Sequence, residues 1–185
     1  MSSEEEDQWS PARNPYAIAA SQSWWAMVAV LQFAADAKAA DGPAQQIYAR
    51  QIFGHLRLLQ RCAVMEAKEL ARLGVDQVHR DLLQDEIDLF EGAVPGAKSA
   101  RDILEHFDEY ARGDGQLQRK AMNDLGIDVF EAAAMFWGGG YDPATEELTE
   151  GPFVVAISQA VDASQRLHTA ICRAARAVDV SRRLA

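Results

Sequence analysis

Cysteine is scarce in this chain of 185 residues, which contains only Cys62 and Cys172. Both lie within apolar, helix-like patterns and are far apart in the sequence. Two isolated cysteines exclude the dense disulfide framework of small secreted domains and a zinc site built from clustered cysteines. The fold must therefore depend on a hydrophobic core, and a chain of this length buries roughly 70% of its unfolded surface without such support.

Long apolar runs and a leader sequence are also missing. No uninterrupted apolar stretch approaches the ~18 residues of a membrane-spanning helix, so no transmembrane segment is predicted. The chain begins MSSEEEDQWS, which is acidic and lacks the basic and apolar regions of a signal peptide. We therefore expect a cytoplasmic protein that does not associate with a membrane.

Positive charge is low, since 18 Lys and Arg residues against 28 Asp and Glu residues give a formal net charge of −10. This balance excludes the broad basic surface with which many proteins bind nucleic acid. An acidic surface favours solubility, and it does not exclude a site that handles a phosphate locally.

The common signatures of metal and cofactor sites are absent as well. The chain has no Glu-x-x-His pair of the kind that forms di-iron centres in helical bundles, and no His-Glu-x-x-His. It also lacks the Walker phosphate loop and the Rossmann glycine pattern. The run Gly138-Gly139-Gly140 favours a hairpin turn, because no helix opens directly after it. The sequence therefore predicts neither a metal nor a cofactor.

Amphipathic helices dominate what is present. Apolar residues recur at steps of three and four along most of the chain. Turn residues end these helices at 41–43, 74, 95–96 and 113–115. Segments 145–149 and 152–155 have the pattern of short strands. The sequence predicts an all-α fold, an antiparallel four- to five-helix bundle with a small β-hairpin insertion before the last helix.

The domain organisation predicted from this pattern is simple. Residues 1–13 are polar and charged and are expected to form a disordered acidic N-terminus. Asn14-Pro15 is a good helix start, because a capping side chain precedes a proline at the first helical position. Residues 14–180 are therefore expected to form a single helical domain.

The fourth predicted helix, residues 97–112, contains the stretch Arg101-Asp102-Ile103-Leu104-Glu105-His106. It resembles the Arg-x4–6-His motif of the HEPN superfamily, in which Asn, Asp or His usually follows the arginine. The resemblance implies a four- or five-helix bundle with the motif on a late helix. It also implies a homodimer in which two motifs line one cleft. Many members are metal-independent endoribonucleases of toxin or defence systems, so RNA is an expected substrate and an antitoxin or other protein an expected partner.

The residue types in this stretch suit such chemistry. At ~100° per residue, Arg101, Asp102 and His106 fall within an arc of roughly 140°, opposite Ile103 and Phe107. Asp102 and His106 are one turn apart, so a hydrogen bond can fix the imidazole tautomer. The Arg101 guanidinium offers a fork of donors to a phosphate. We hypothesise that His106 is the general acid or base, Arg101 stabilises the scissile phosphate and Asp102 orients the pair.

The same residues also fit an ordinary solvated helix face. Arg101 and Glu105 are spaced i, i+4, as are Asp102 and His106, and such pairs are common on helix surfaces. Glu105, Asp108 and Glu109 add negative charge that repels a phosphate backbone. The alternative prediction is therefore a catalytically inactive helical interaction module, whose acidic surface binds a basic protein partner.

Overall fold

The computed structural model describes residues 9–11, 14 and 17–184. Eight helices and three strands lie in this part of the chain. They are α1 Ile18–Ala39, α2 Gly42–Arg72, α3 Gln77–Ala93, α4 Ala97–Glu105, α5 Phe107–Ala111, α6 Gln116–Leu125, α7 Val129–Met135, β1 Gly139–Asp142, β2 Glu147–Glu150, β3 Phe153–Ala156 and α8 Ile157–Leu184.

Four long helices, α1, α2, α3 and α8, form the body of the fold. The short connection between α1 and α2 lets α2 return along α1, and α8 packs against α1, α2 and α3. The largest fully buried side chains of the core are Phe53, Ile52, Leu56, Leu59, Leu70, Leu83, Leu148, Ile157, Leu167 and Ile171. The buried positions of α1 are mostly alanine, which allows its neighbours to approach closely.

The helical bundle with a small antiparallel insertion before the last helix is confirmed at this level. The counts differ, because eight helices rather than four or five occur in the described residues and the insertion has three strands instead of two. The additional helices, α5, α6 and α7, are short. The single domain over residues 14–180 stays a prediction.

The three strands form an antiparallel sheet in the order β1-β2-β3. Leu148 of β2 lies opposite Tyr141 and Val155, and all three side chains are buried against the bundle. The open edge of β1 is paired with a side chain, because the Gln46 amide of α2 accepts from Tyr141 N at 2.6 Å and donates to Tyr141 O at 2.9 Å. This contact fixes the sheet on α2.

α4 packs against α2 and the sheet. Its start requires a glycine, because Gly96 has φ +75° and a Cβ there would collide with the Phe153 ring. A small second core lies beyond α4 and contains Ile103, Tyr110, Ala121 and Phe136.

The helix α1 modifies the expectation that nothing in the chain can span a membrane. Its mean hydropathy reaches 1.2 over 18 residues. Among the described helices, it alone is long and apolar enough to cross a membrane, judged by length and composition. The exclusion from the sequence was therefore too strong. Core helices pass the same test, and α1 packs against α2 and α8 with Ala20, Ala26 and Val30 fully buried. The cytoplasmic location stays a prediction.

The expected disordered N-terminus falls mainly on residues 1–8 and 12–13, which lie outside the described residues. Trp9 is described, and its indole Nε1 donates to Asp179 Oδ2 of α8 at 3.3 Å. Pro15 of the predicted helix start also lies outside the described residues, and α1 begins at Ile18.

Glu66 of α2 is a buried carboxyl, only 2% exposed. Burial raises its pKa to about 7 and nearby Glu69 adds to the increase, while Arg182 of α8 opposes it. The unfolded chain, with a carboxyl pKa near 4.5, therefore loses its proton at lower pH than the folded protein. The contribution of Glu66 to the free energy of unfolding is therefore fully present below pH 4.5, the pKa in the unfolded chain, and is lost as the pH rises toward 7.

We expect the variant Glu66→Gln not to lose stability in this way as the pH rises, because an amide does not titrate. Its free energy of unfolding relative to the natural chain should increase between pH 4.5 and 7, by about 2–3 kcal/mol in total. Urea unfolding of both proteins across this range measures the difference. A difference that does not change with pH would contradict the assignment of a raised pKa to Glu66.

Candidate functional site

A break in the helical backbone at His106 separates α4 from α5. His106 has φ −110° and ψ 31°, so the predicted continuous helix over residues 97–112 is wrong at this position. Beyond the break the buried face changes. Tyr110 is buried and Phe107 is 69% exposed, although the sequence placed Phe107 on the inward face.

Tyr110 rather than Phe107 is buried because of the contacts that the Tyr110 ring makes in the turn after α5. The Tyr110 ring occupies space that only a glycine leaves open, because a Cβ on Gly115 would lie 2.6 Å from the ring. Phe136 packs on its other side, with ring centroids 5.8 Å apart. The buried Gln118 amide closes the turn, accepting from Gly115 N and donating to Tyr110 O, both at 3.0 Å.

Arg101 is held by two carboxylates of its own helix. Its Nη1 lies 3.0 Å from Asp102 Oδ1, and its Nη2 forms an ion pair with Glu105 Oε2. The side chain is 27% exposed, so the guanidinium is largely covered. Its donors are therefore directed to neighbouring side chains rather than to an open site.

His106 is more accessible, with 54% of its side chain exposed. Its nearest acidic partner is Glu109, with Nδ1 and Oε1 3.7 Å apart, a separation too long for a hydrogen bond. Asp102 hydrogen-bonds to Arg101 and, within the described residues, not to His106. The expected hydrogen bond that would fix the imidazole tautomer is thus not formed.

Asp102 and His106 nevertheless line the same open cavity, here called the His106 cleft, of about 620 Å³. Arg101 is not part of its lining, so two of the three predicted site residues are brought together and the third is not. The other charged residues lining the cleft are Lys98, Glu109, Arg119 and Lys120. These cations were not predicted from the sequence, although the adjacent pair Arg119-Lys120 in an acidic chain is a usable signal.

Tyr110 also lines a second cavity, of about 600 Å³. We call it the aromatic groove, and its apolar lining is Ile103, Leu104, Phe107, Tyr110, Ala111, Ala133, Phe136 and Trp137. Trp137 is 83% exposed, and Phe130, three residues before Ala133 on the same helix face, is 78% exposed. A stretch apolar on both faces from Ile127 to Trp137 was the signal in the sequence for this surface.

One ion pair also lines the aromatic groove. Glu150 of β2 is 4% exposed and accepts from Arg50 Nη2 of α2 at 3.2 Å. Burial raises the pKa of Glu150, and the Arg50 guanidinium partly opposes this effect. The groove therefore combines exposed aromatic rings with a nearly buried carboxylate.

Two other histidines have structural partners. The His55 ring stacks on Phe33 with centroids 5.5 Å apart, and His168 Nδ1 lies 2.8 Å from Ser23 Oγ. Burial lowers the pKa of both imidazoles, which favours their neutral forms. In the described part of the chain no group of three or more His, Cys, Asp or Glu side chains is placed to hold a metal ion.

No protein-family model, curated protein or solved structure matches this chain. The resemblance to HEPN proteins therefore rests on the residues from Arg101 to His106 and on the helical architecture. The geometry of the His106 cleft and of the aromatic groove carries the functional argument.

Proposed function

We propose that this chain is a HEPN-like helical interaction module that binds a basic amphipathic helix of a partner protein in the aromatic groove. The single observation that carries the proposal is that two exposed aromatic side chains, Phe107 and Trp137, line one cavity. Exposed apolar patches mark interaction sites, and Trp is the residue most often found to anchor an interface. A groove between helices fits an amphipathic helix in particular.

The charge of the surroundings favours a basic partner. Residues 101–137, which supply most of the groove, contain eight acidic and four basic side chains, and the whole chain has a net charge of −10. Glu150 lines the groove but is only 4% exposed and is already paired with Arg50, so the attraction comes from the acidic side chains around the groove. Complementary charge increases the rate and specificity of association more than the final affinity.

The state of Arg101 favours this function over catalysis. A phosphate would have to displace Asp102 and Glu105 from the guanidinium, since both carboxylates already use its donors. His106 lines a cleft of which Arg101 is not part, and it lacks the hydrogen bond that would orient it. In a single copy of the chain, the three residues do not form one catalytic arrangement.

A synthetic helical peptide tests the interaction directly. We expect a peptide of about 18 residues, with Leu at i, i+3, i+4 and i+7 and Lys elsewhere, to bind the natural chain and change the fluorescence of Trp137. Phe107→Ala or Trp137→Ala should weaken binding roughly ten- to thirty-fold, because each removes an aromatic anchor. Isothermal titration calorimetry measures the affinities.

The matched control is Trp25→Ala, which removes another exposed tryptophan, 59% exposed, from α1 outside the groove. It should leave the affinity unchanged, and the same peptide with Glu in place of Lys should not bind. Equal effects of Trp25→Ala and Trp137→Ala, or equal binding of both peptides, would show that the groove is not a basic-helix site. Loss of a self-associated form in Trp137→Ala alone would instead identify a second copy of the chain as the occupant.

The second candidate function is a metal-independent endoribonuclease in a homodimer, of the toxin or defence type. The observation that favours it is that Asp102 and His106 line one open cleft with three cations. There the His106 imidazole would take the proton of an RNA 2′-hydroxyl, whose oxygen attacks the adjacent phosphorus while the 5′-oxygen leaves and gains a proton. Arg101 would contribute only after release from Glu105.

RNA cleavage and growth arrest on overexpression test this candidate. Arg101→Ala and His106→Ala should each abolish both effects, and Glu105→Gln should increase cleavage because it frees one donor pair of Arg101. Arg112→Ala is the control, since this exposed arginine pairs with Asp108 outside the cleft. A natural chain that neither arrests growth nor cleaves RNA would leave only the interaction module.

A further inference from the structure

We propose that the His106 cleft binds a phosphate group through Lys98, Arg119 and Lys120. The group can belong to a free phosphate compound or to the backbone of a single-stranded RNA, because the recognising chemistry is the same. The inference does not rest on the aromatic groove. It names the group that the second candidate function would have to bind in the same cleft, and it concerns binding rather than cleavage, so a chain that binds phosphate without cleaving RNA fulfils it.

The cations reach the cleft from two separate helices. Lys98 belongs to the beginning of α4, and Arg119 and Lys120 belong to α6, so cations from two different elements meet at one cavity. All three side chains are on exposed residues, so a ligand can reach them from solvent. An arginine offers a planar fork of donors and a lysine a compact charge, and both are common phosphate ligands.

Among the described residues these three cations have no carboxylate partner. In the described part of the chain no carboxylate lies within ion-pair distance of Lys98, Arg119 or Lys120, whereas Arg50, Arg72, Arg101 and Arg112 all have one. A structural role as ion-pair partners therefore does not explain them.

One of the two carboxylates of the cleft is compensated, because Asp102 is 3.0 Å from Arg101, which stands outside the cleft lining. The three cations therefore outnumber the remaining carboxylate of the cleft, Glu109, and leave the cleft locally positive in a chain whose net charge is −10. Such a local excess attracts an anion over short distances even where the overall charge does not.

Neutral donors complete the lining. Ser99 and Gln116 both line the cleft, and their hydroxyl and amide groups can donate to phosphate oxygens. The volume of about 620 Å³ lies within the range of about 300–1,000 Å³ typical of small-ligand sites. A phosphate with an attached sugar therefore fits the cavity. The net charge of −10 argues against an extended basic surface that would follow a nucleic-acid backbone.

Amide chemical-shift titration with three probes tests the proposal. The probes are inorganic phosphate, a nucleoside 5′-monophosphate and a short single-stranded oligoribonucleotide. At least one should shift the amides of residues 98–102 and 116–120 in the natural chain. Lys98→Gln, Arg119→Gln and Lys120→Gln should each weaken binding roughly ten-fold, as expected for loss of a charge-assisted hydrogen bond.

The control removes the same three charges from exposed positions outside the cleft, by Arg61→Gln, Lys68→Gln and Arg166→Gln together. It should leave binding within about two-fold, whereas the combined cleft variant should abolish it. Shifts with inorganic phosphate identify a free phosphate compound as sufficient, and shifts with the oligoribonucleotide alone identify a backbone phosphate. The proposal is overturned if no probe shifts the cleft amides, or if the control variant weakens binding as much as the cleft variant.

Discussion

Burial of Tyr110 is the contact on which the functional surface depends. Its ring fills the space beside Gly115 and packs against Phe136, and Gln118 holds the turn that brings these groups together. The helix breaks at His106, and Phe107, the first residue of α5 after the break, is exposed. Tyr110 lines both the aromatic groove and the His106 cleft, so the way this side chain packs contributes to the shape of both cavities.

The main helices could be predicted from the sequence because their signals are local. Apolar spacing and turn residues such as Gly74 and Pro95 define α2 and α3 without knowledge of their neighbours. The strand pattern at 145–155 was also readable, but the first strand was not, because Gly139 and Gly140 carry no hydrophobic alternation. That strand is held by its pairing with β2 and by Gln46 of a distant helix.

The candidate site was less predictable, since it depends on contacts that helical periodicity does not contain. Ideal spacing puts Asp102 beside His106, but Arg101 and Glu105 satisfy the charges locally. A break of one residue at His106 then separates the histidine from the regular helix. The catalytic role suggested by the Arg-x4-His stretch therefore stays a prediction, and the pairing of Arg101 with Asp102 and Glu105 could be established only from the three-dimensional structure.

The break at His106 leads to the aromatic groove, and the solvent accessibility of the aromatic rings in solution tests this step most directly. Relaxation of ring protons by a soluble nitroxide distinguishes the exposed Phe107 and Trp137 from the buried Tyr110. We expect strong broadening of the Phe107 and Trp137 signals and protection of Tyr110. Protection of Phe107 together with broadening of Tyr110, as a continuous helix facing inward at Phe107 would give, would contradict it.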